Sequence, residues 1–168
     1  MSFTNQDFKE PTKLASIISF CEQADNKTLE QVVAEIHKYQ PFLISIFLGY
    51  KEDVTPHQHD EIIRILIIIW LFFKDQKGVK KQKINESQFE QQQLKNAQLI
   101  QYLHGEPTLQ AQQLTTDLNL DQLRSKALFS AVLFRVLDGK HLQSLEEETR
   151  GVFILSMKSL IECFETIS

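Results

Sequence analysis

Residues 62–73 read Ile-Ile-Arg-Ile-Leu-Ile-Ile-Ile-Trp-Leu-Phe-Phe, with eleven apolar side chains in twelve positions. A helix that is apolar on every side must be covered on every side, so the rest of the chain has to be arranged around it. At a rise of 1.5 Å per residue the run spans about 18 Å, well short of the ~30 Å hydrocarbon core of a bilayer. Arg64 interrupts it, and Asp60, Glu61, Lys74 and Asp75 flank it. A buried strand would also be apolar throughout, but such strands end after about four to eight residues. The run therefore reads as a buried central helix. Its start is marked by Thr55-Pro56-His57-Gln58: an N-cap Thr, a Pro at the first helical position and a Gln three residues after the cap, which together make a capping box. Asp60 and Glu61 follow near the positive end of the helix dipole.

The surrounding sequence is equally helical in character. Only 5 Gly and 4 Pro occur in 168 residues, which leaves few sites for tight β-turns, while Gln, Leu, Glu and Lys lose little side-chain freedom in a helix. Residues 12–24 place Leu14, Ile17, Ile18, Cys21 and Ala24 at helical spacing. Thr28-Leu-Glu-Gln31 resembles a second capping box and opens a helix with Leu29, Val32, Val33, Ile36 and Tyr39 on one face. Phe42–Leu48 suits a short helix or a strand, with Pro41 ahead of it and Gly49 behind favouring the helix. After a Lys-rich loop at 74–85, Asn85-Glu-Ser-Gln88 starts a Gln-rich helix to about His104, with a thin inner face of Phe89, Leu94, Ala97, Ile100 and Leu103. Shorter patterns follow at 109–118 and at 121–138, the latter with Leu123, Ala127, Leu128, Ala131, Phe134 and Leu137 inward. Ser144-Leu-Glu-Glu147 matches a third capping box before the last helix. The expected fold is all-α: one globular bundle of about seven helices, spanning 1–168, around a central apolar helix at about 56–73.

Net charge is −4, so no general field draws the chain to nucleic acid or an anionic membrane. Two distant cysteines, Cys21 and Cys163, with no CxxC pair, fit a reducing compartment, and the N-terminus has neither a basic n-region nor an apolar h-region. The expectation is a soluble, cytoplasmic protein with no membrane partner.

Four groupings could carry chemistry. His57, His59, Asp60 and Glu61 are metal-ligand types within five positions. On a helix, however, His57 and His59 point about 200° apart, leaving His57 with Asp60 or Glu61 on one face and further ligands to be found elsewhere. A di-iron carboxylate bundle requires inward Glu-x-x-His pairs, and no histidine here is preceded by Glu at that spacing. Cys21 and Cys163 lie on apolar helix faces, where a thiol behaves as a small hydrophobe. The five glycines are too scattered to cradle a phosphate. Lys80, Lys81 and Lys83 in the Lys-rich loop, and Arg124 and Lys126 in a segment (114–126) that resembles a helix-turn-helix, are candidate nucleic-acid contacts, opposed by Asp117, Asp121 and the acidic balance.

With no convergent polar constellation, the sequence points away from catalysis and implies no cofactor. The leading expectation is a non-catalytic helical interaction or assembly protein, a candidate homodimer with Tyr50, Trp70, Phe72 and Phe73 as its aromatic patch. The alternatives are a small-molecule or metal-binding helical domain at His57/Glu61 and a weak nucleic-acid binder.

Overall fold

The computed structural model describes residues 5–104 and 122–168, with side chains from 9 to 98 and from 122 to 168. Among these the chain is helical throughout: α1 (Asn5–Gln23), α2 (Asn26–Tyr39), α3 (Pro41–Gly49), α4 (Pro56–Phe73), α5 (Glu86–His104), α6 (Lys126–Asp138) and α7 (Glu147–Ile167), with a single 3-10 turn at Leu142–Ser144. The helix read at 109–118 lies outside the described residues. No described helix is long and apolar enough to cross a membrane.

α4 is the central element. Its capping box forms in both directions: Gln58 N–H donates to Thr55 Oγ1 (3.3 Å) and Thr55 N–H donates to Gln58 Oε1 (2.9 Å). Ile62, Ile65–Trp70, Phe72 and Phe73 are buried, and α1, α2, α3 and α6 all pack against α4. From α7, Phe164 stacks on Phe73 (centroids 5.0 Å apart, planes 6° from parallel) and tilts against Trp70 (6.5 Å). Each large side chain buried in this way contributes about 1.5–3 kcal/mol.

Paired contacts give the direction of each helix. α2 runs parallel to α4, since the Trp70 indole donates to Glu35 and Tyr39 stacks on Trp70. α7 is also parallel, with Tyr50 beside Phe153 at one end and Gly78 against Ile167 at the other. α1 is antiparallel: Arg64 donates to the Cys21 carbonyl and Lys13 to the Phe72 carbonyl. α3 and α6 are antiparallel as well, the first by Phe47 on His59, the second by Arg135 on Glu61 and Ser125 on Glu165. α5 rests mainly on α7.

Several sequence expectations change. α1 begins before residue 12 and continues through Pro11. α2 is capped by Asp25, whose Oδ1 accepts from Thr28 N–H at 2.8 Å, so Thr28 is the third helical residue rather than the cap. Phe42–Leu48 is helical. α5 starts where read, with Asn85 and Gln88 capping it reciprocally, but Leu94 faces solvent. α6 starts at Lys126, not at 121, and buries Leu128, Phe129, Val132 and Val136, leaving Phe134 and Leu137 outward. That helix is apolar on two faces, and only packing chose between them. Ser144 caps nothing. It belongs to the 3-10 turn, and α7 starts at Glu147.

The Lys-rich loop is tied down by Gln40, a fully buried side chain. Its Nε2 donates to the Val79 and Gln82 carbonyls (2.7 Å each) and its Oε1 accepts from Ile84 N–H (2.9 Å). A Cβ added at Gly78 would lie 1.6 Å from the Ile167 carbonyl oxygen, whereas one at helical Gly151 meets nothing within 4 Å. Gly78→Ala is therefore expected to destabilise by about 1–3 kcal/mol through overpacking, and Gly151→Ala to stabilise by about 0.5–1 kcal/mol by removing a helical glycine. Urea unfolding of both variants should show shifts of opposite sign.

Candidate functional site

These helix directions sort charge along the bundle. At the end holding the C-termini of α2, α4 and α7 lie Lys74, Lys77, Lys80, Lys81 and Lys83 of the loop, Lys38 of α2, Lys9 and Lys13 of α1, and Arg124 and Lys126 at the start of α6. Among the described residues the carboxylates of Glu10, Glu35, Asp75, Glu86, Glu162 and Glu165 sit among these cations. Part of this charge complements three helix C-termini, and part is internally paired. Glu35 meets Lys74 (3.4 Å) and Lys80 (3.6 Å), and Lys38 and Lys80 lie over the Tyr39 ring (5.1 and 5.3 Å). Lys77, Lys81 and Lys83 are exposed and form no ion pair among the described residues.

The opposite end is its inverse. Glu22, Asp25, Glu30, Glu52, Asp53, Asp60, Glu61, Asp138 and the run Glu146–Glu148 gather there, against Lys27, Lys51, Arg64, Arg135, Lys140 and Arg150. Four of the six exposed large hydrophobics among the described residues lie towards this end too: Phe20, Leu48, Phe134 and Leu137, with Phe134 66% exposed and Leu137 49%. Two clefts of about 400 Å³ open along the bundle sides. One lies between α2 and α4, floored by Leu29, Val33, Ile63 and Ile67. The other lies among α3, α5 and α7, with Phe42, Ile46, Phe89 and Val152 inside and Glu86 and Glu90 at its edge.

The His/Asp/Glu cluster is dispersed. His57 is exposed and stacks on His141 (5.6 Å), while His59 stacks on Phe47 (3.9 Å) with Nε2 3.1 Å from the Phe47 carbonyl oxygen. Asp60 edges the α2–α4 cleft, and Glu61 accepts from Arg135 Nη2 (2.5 Å) and Nε (2.9 Å). Among the described residues no three His, Cys, Asp or Glu converge to hold a metal ion. The aromatic patch fares no better: Trp70, Phe72 and Phe73 are buried in the core, and half-buried Tyr50 donates its hydroxyl to Ser156 Oγ (3.1 Å). Burial raises the Tyr50 pKa above its ordinary 10.0, opposed by the Ser156 hydrogen bond and assisted by the charge of Asp53.

The two nucleic-acid candidates, distant in sequence, meet around the C-terminus of α7. Gly78 abuts Ile167, Arg124 donates to the Glu165 carbonyl, and Ser125 N–H donates to Glu165 Oε1 (2.7 Å). Leu123 and Ser125 are buried ahead of α6, so no helix presents Gln122, Arg124 and Ser125 to a groove. Cys21 and Cys163 are buried, and desolvation pushes both thiols up to about 11; for Cys21 the nearby Arg135 and Arg64 charges oppose that rise.

Sequence reasoning missed a polar seam where α5 lies on α7. Buried Lys158 pairs with Glu162 one turn along and donates to Asn96 Oδ1 (2.8 Å). Asn96 Nδ2 reaches Ser159 Oγ (2.9 Å) and Glu162 Oε2 (2.7 Å), and Gln92 donates to the same Glu162 oxygen (2.6 Å). The i,i+4 Lys–Glu spacing was visible, but in isolation it reads as a solvated pair. Among the described residues no buried side-chain polar atom is left unpaired, so the seam is complete without a ligand. No family model, curated protein or solved structure matches the chain.

Lys158→Ala leaves the Glu162 charge partly buried without a counter-ion, though still hydrogen-bonded by Asn96 and Gln92, and is expected to lower stability by about 3 kcal/mol. A smaller loss for Lys158→Met combined with Glu162→Gln, measured by urea unfolding, would separate the unpaired charge from lost packing. Desolvation pushes the Glu35 pKa up, but the Trp70 hydrogen bond and the charges of Lys74 and Lys80 outweigh it and hold it below the ordinary 4.5. A lowered folded pKa gives stability that is complete above the ordinary value and lost as pH falls through the folded one. Thermal midpoints of Glu35→Gln should accordingly vary less with pH on the acid side than those of the native chain.

Proposed function

We propose that this protein is a non-catalytic helical interaction and assembly module whose contact surface is the acidic, apolar end of the bundle. The observation that carries this reading is the exposure of Phe20, Leu48, Phe134 and Leu137 towards one end of the bundle, while the buried polar side-chain atoms among the described residues are all hydrogen-bonded within the fold. A soluble helical domain buries such side chains when it can, and an apolar patch rimmed by charge marks a protein contact. Phe134 and Leu137, one turn apart on α6, are its most accessible pair. A metal or nucleophilic role has no such support, because the candidate ligands are dispersed and both thiols are buried.

Light scattering of the full chain is expected to show a mass rising above 19.6 kDa with concentration. Phe134→Ser combined with Leu137→Ser should return it to the monomer mass with helix content and thermal midpoint nearly unchanged, since exposed substitutions of this kind shift stability by about 0.5 kcal/mol or less. A native chain that stays monomeric at every concentration and salt tested defeats the assembly reading.

A further inference from the structure

We infer that the assembly is head-to-tail: the acidic, apolar end of one molecule receives the basic end of a second copy. This rests on the assembly reading above and adds to it the occupant of the surface. The complementary face is present on the same chain. Among the described residues cations outnumber carboxylates at one end, and carboxylates outnumber cations at the other. Lys77, Lys81 and Lys83 are exposed without an ion pair among the described residues, and so are Glu52, Asp53 and Glu147.

A twofold contact of two acidic ends would set like charges against each other, whereas the head-to-tail contact neutralises both. Lysine also suits the apolar part of the surface. Its four-carbon stem covers apolar area while the ammonium reaches a carboxylate, and an ammonium is attracted to an aromatic face. The fold already uses that pairing, with Lys13 4.9 Å from the Phe72 ring centroid and Lys80 over Tyr39. An exposed Phe20 or Phe134 offers an incoming Lys the same face. The net charge of −4 does not forbid the contact, because the two signs are separated in space and steering acts between facing patches. Since the two faces differ, the contact is heterologous: it closes only if the rotation per step closes, and otherwise grows with concentration.

Sedimentation velocity on the full chain tests this. At about 0.02 M salt the mass should rise with protein concentration, and at about 0.5 M, where screening shortens to a few ångströms, it should fall to the monomer. K77E/K81E/K83E has two acidic ends and should be monomeric at low salt. E52K/D53K/E147K has two basic ends and should also be monomeric. Mixed in equal amounts, the two folded variants should associate again at low salt, a rescue that a folding defect cannot produce. Association that ignores salt, or that survives either charge reversal, overturns the head-to-tail contact while leaving the assembly reading intact. A chain monomeric throughout overturns both. Capture of a short RNA or DNA duplex by the basic end of a chain that does not self-associate also overturns the inference.

Discussion

Everything in this molecule is arranged around the need to cover α4. A helix carrying Ile62, Ile65–Trp70, Phe72 and Phe73 has no face to leave in water, so α1, α2, α3 and α6 pack along it and α7 closes the core through Phe164. Covering one helix on all sides with short connections makes the neighbours alternate in direction. That alternation then decides what meets at each end.

The charge separation follows from this arrangement. Acidic N-terminal turns and basic C-terminal turns suit the helix dipole, and the start of α7 and the end of α2 follow that preference. Because α2, α4 and α7 run the same way, the acidic start of α7 and the basic last turn of α2 lie at opposite ends of the bundle. The antiparallel helices and the loops reinforce the pattern, with Lys9 and Lys13 arriving on α1 and the Lys-rich loop folding across the end of α7.

The internal polar groups have a different role. Gln40, Arg135 and the Lys158–Glu162–Asn96 seam each reach between elements far apart in sequence, and each satisfies its partners. Such groups are costly to bury singly and specific when satisfied together, so they set which helix lies on which. The α5–α7 contact is the clearest case, since apolar packing alone would leave its register loosely defined.

Much of this could be read from local pattern. The capping boxes at Thr55 and Asn85, the helix at α2 and the core fate of residues 62–73 depend on neighbours within a few residues, and all-α composition follows from scarce Gly and Pro. What local pattern could not decide was any choice between equivalent faces. α6 carries apolar residues on two faces, and of those read as inward Leu128 is buried while Phe134 and Leu137 are exposed, their place in the core taken by Phe129, Val132 and Val136. His57, His59, Asp60 and Glu61 looked like a site because they are adjacent in sequence, yet a helix turns about 100° per residue and sends them to His141, Phe47, the α2–α4 cleft and Arg135. The amino-acid sequence by itself determined the helices and the central role of α4, because capping, propensity and burial of an all-apolar run act over short range. Only the tertiary structure decided which residues face solvent and which charges share an end, because both depend on helix direction and contact, which no local pattern encodes.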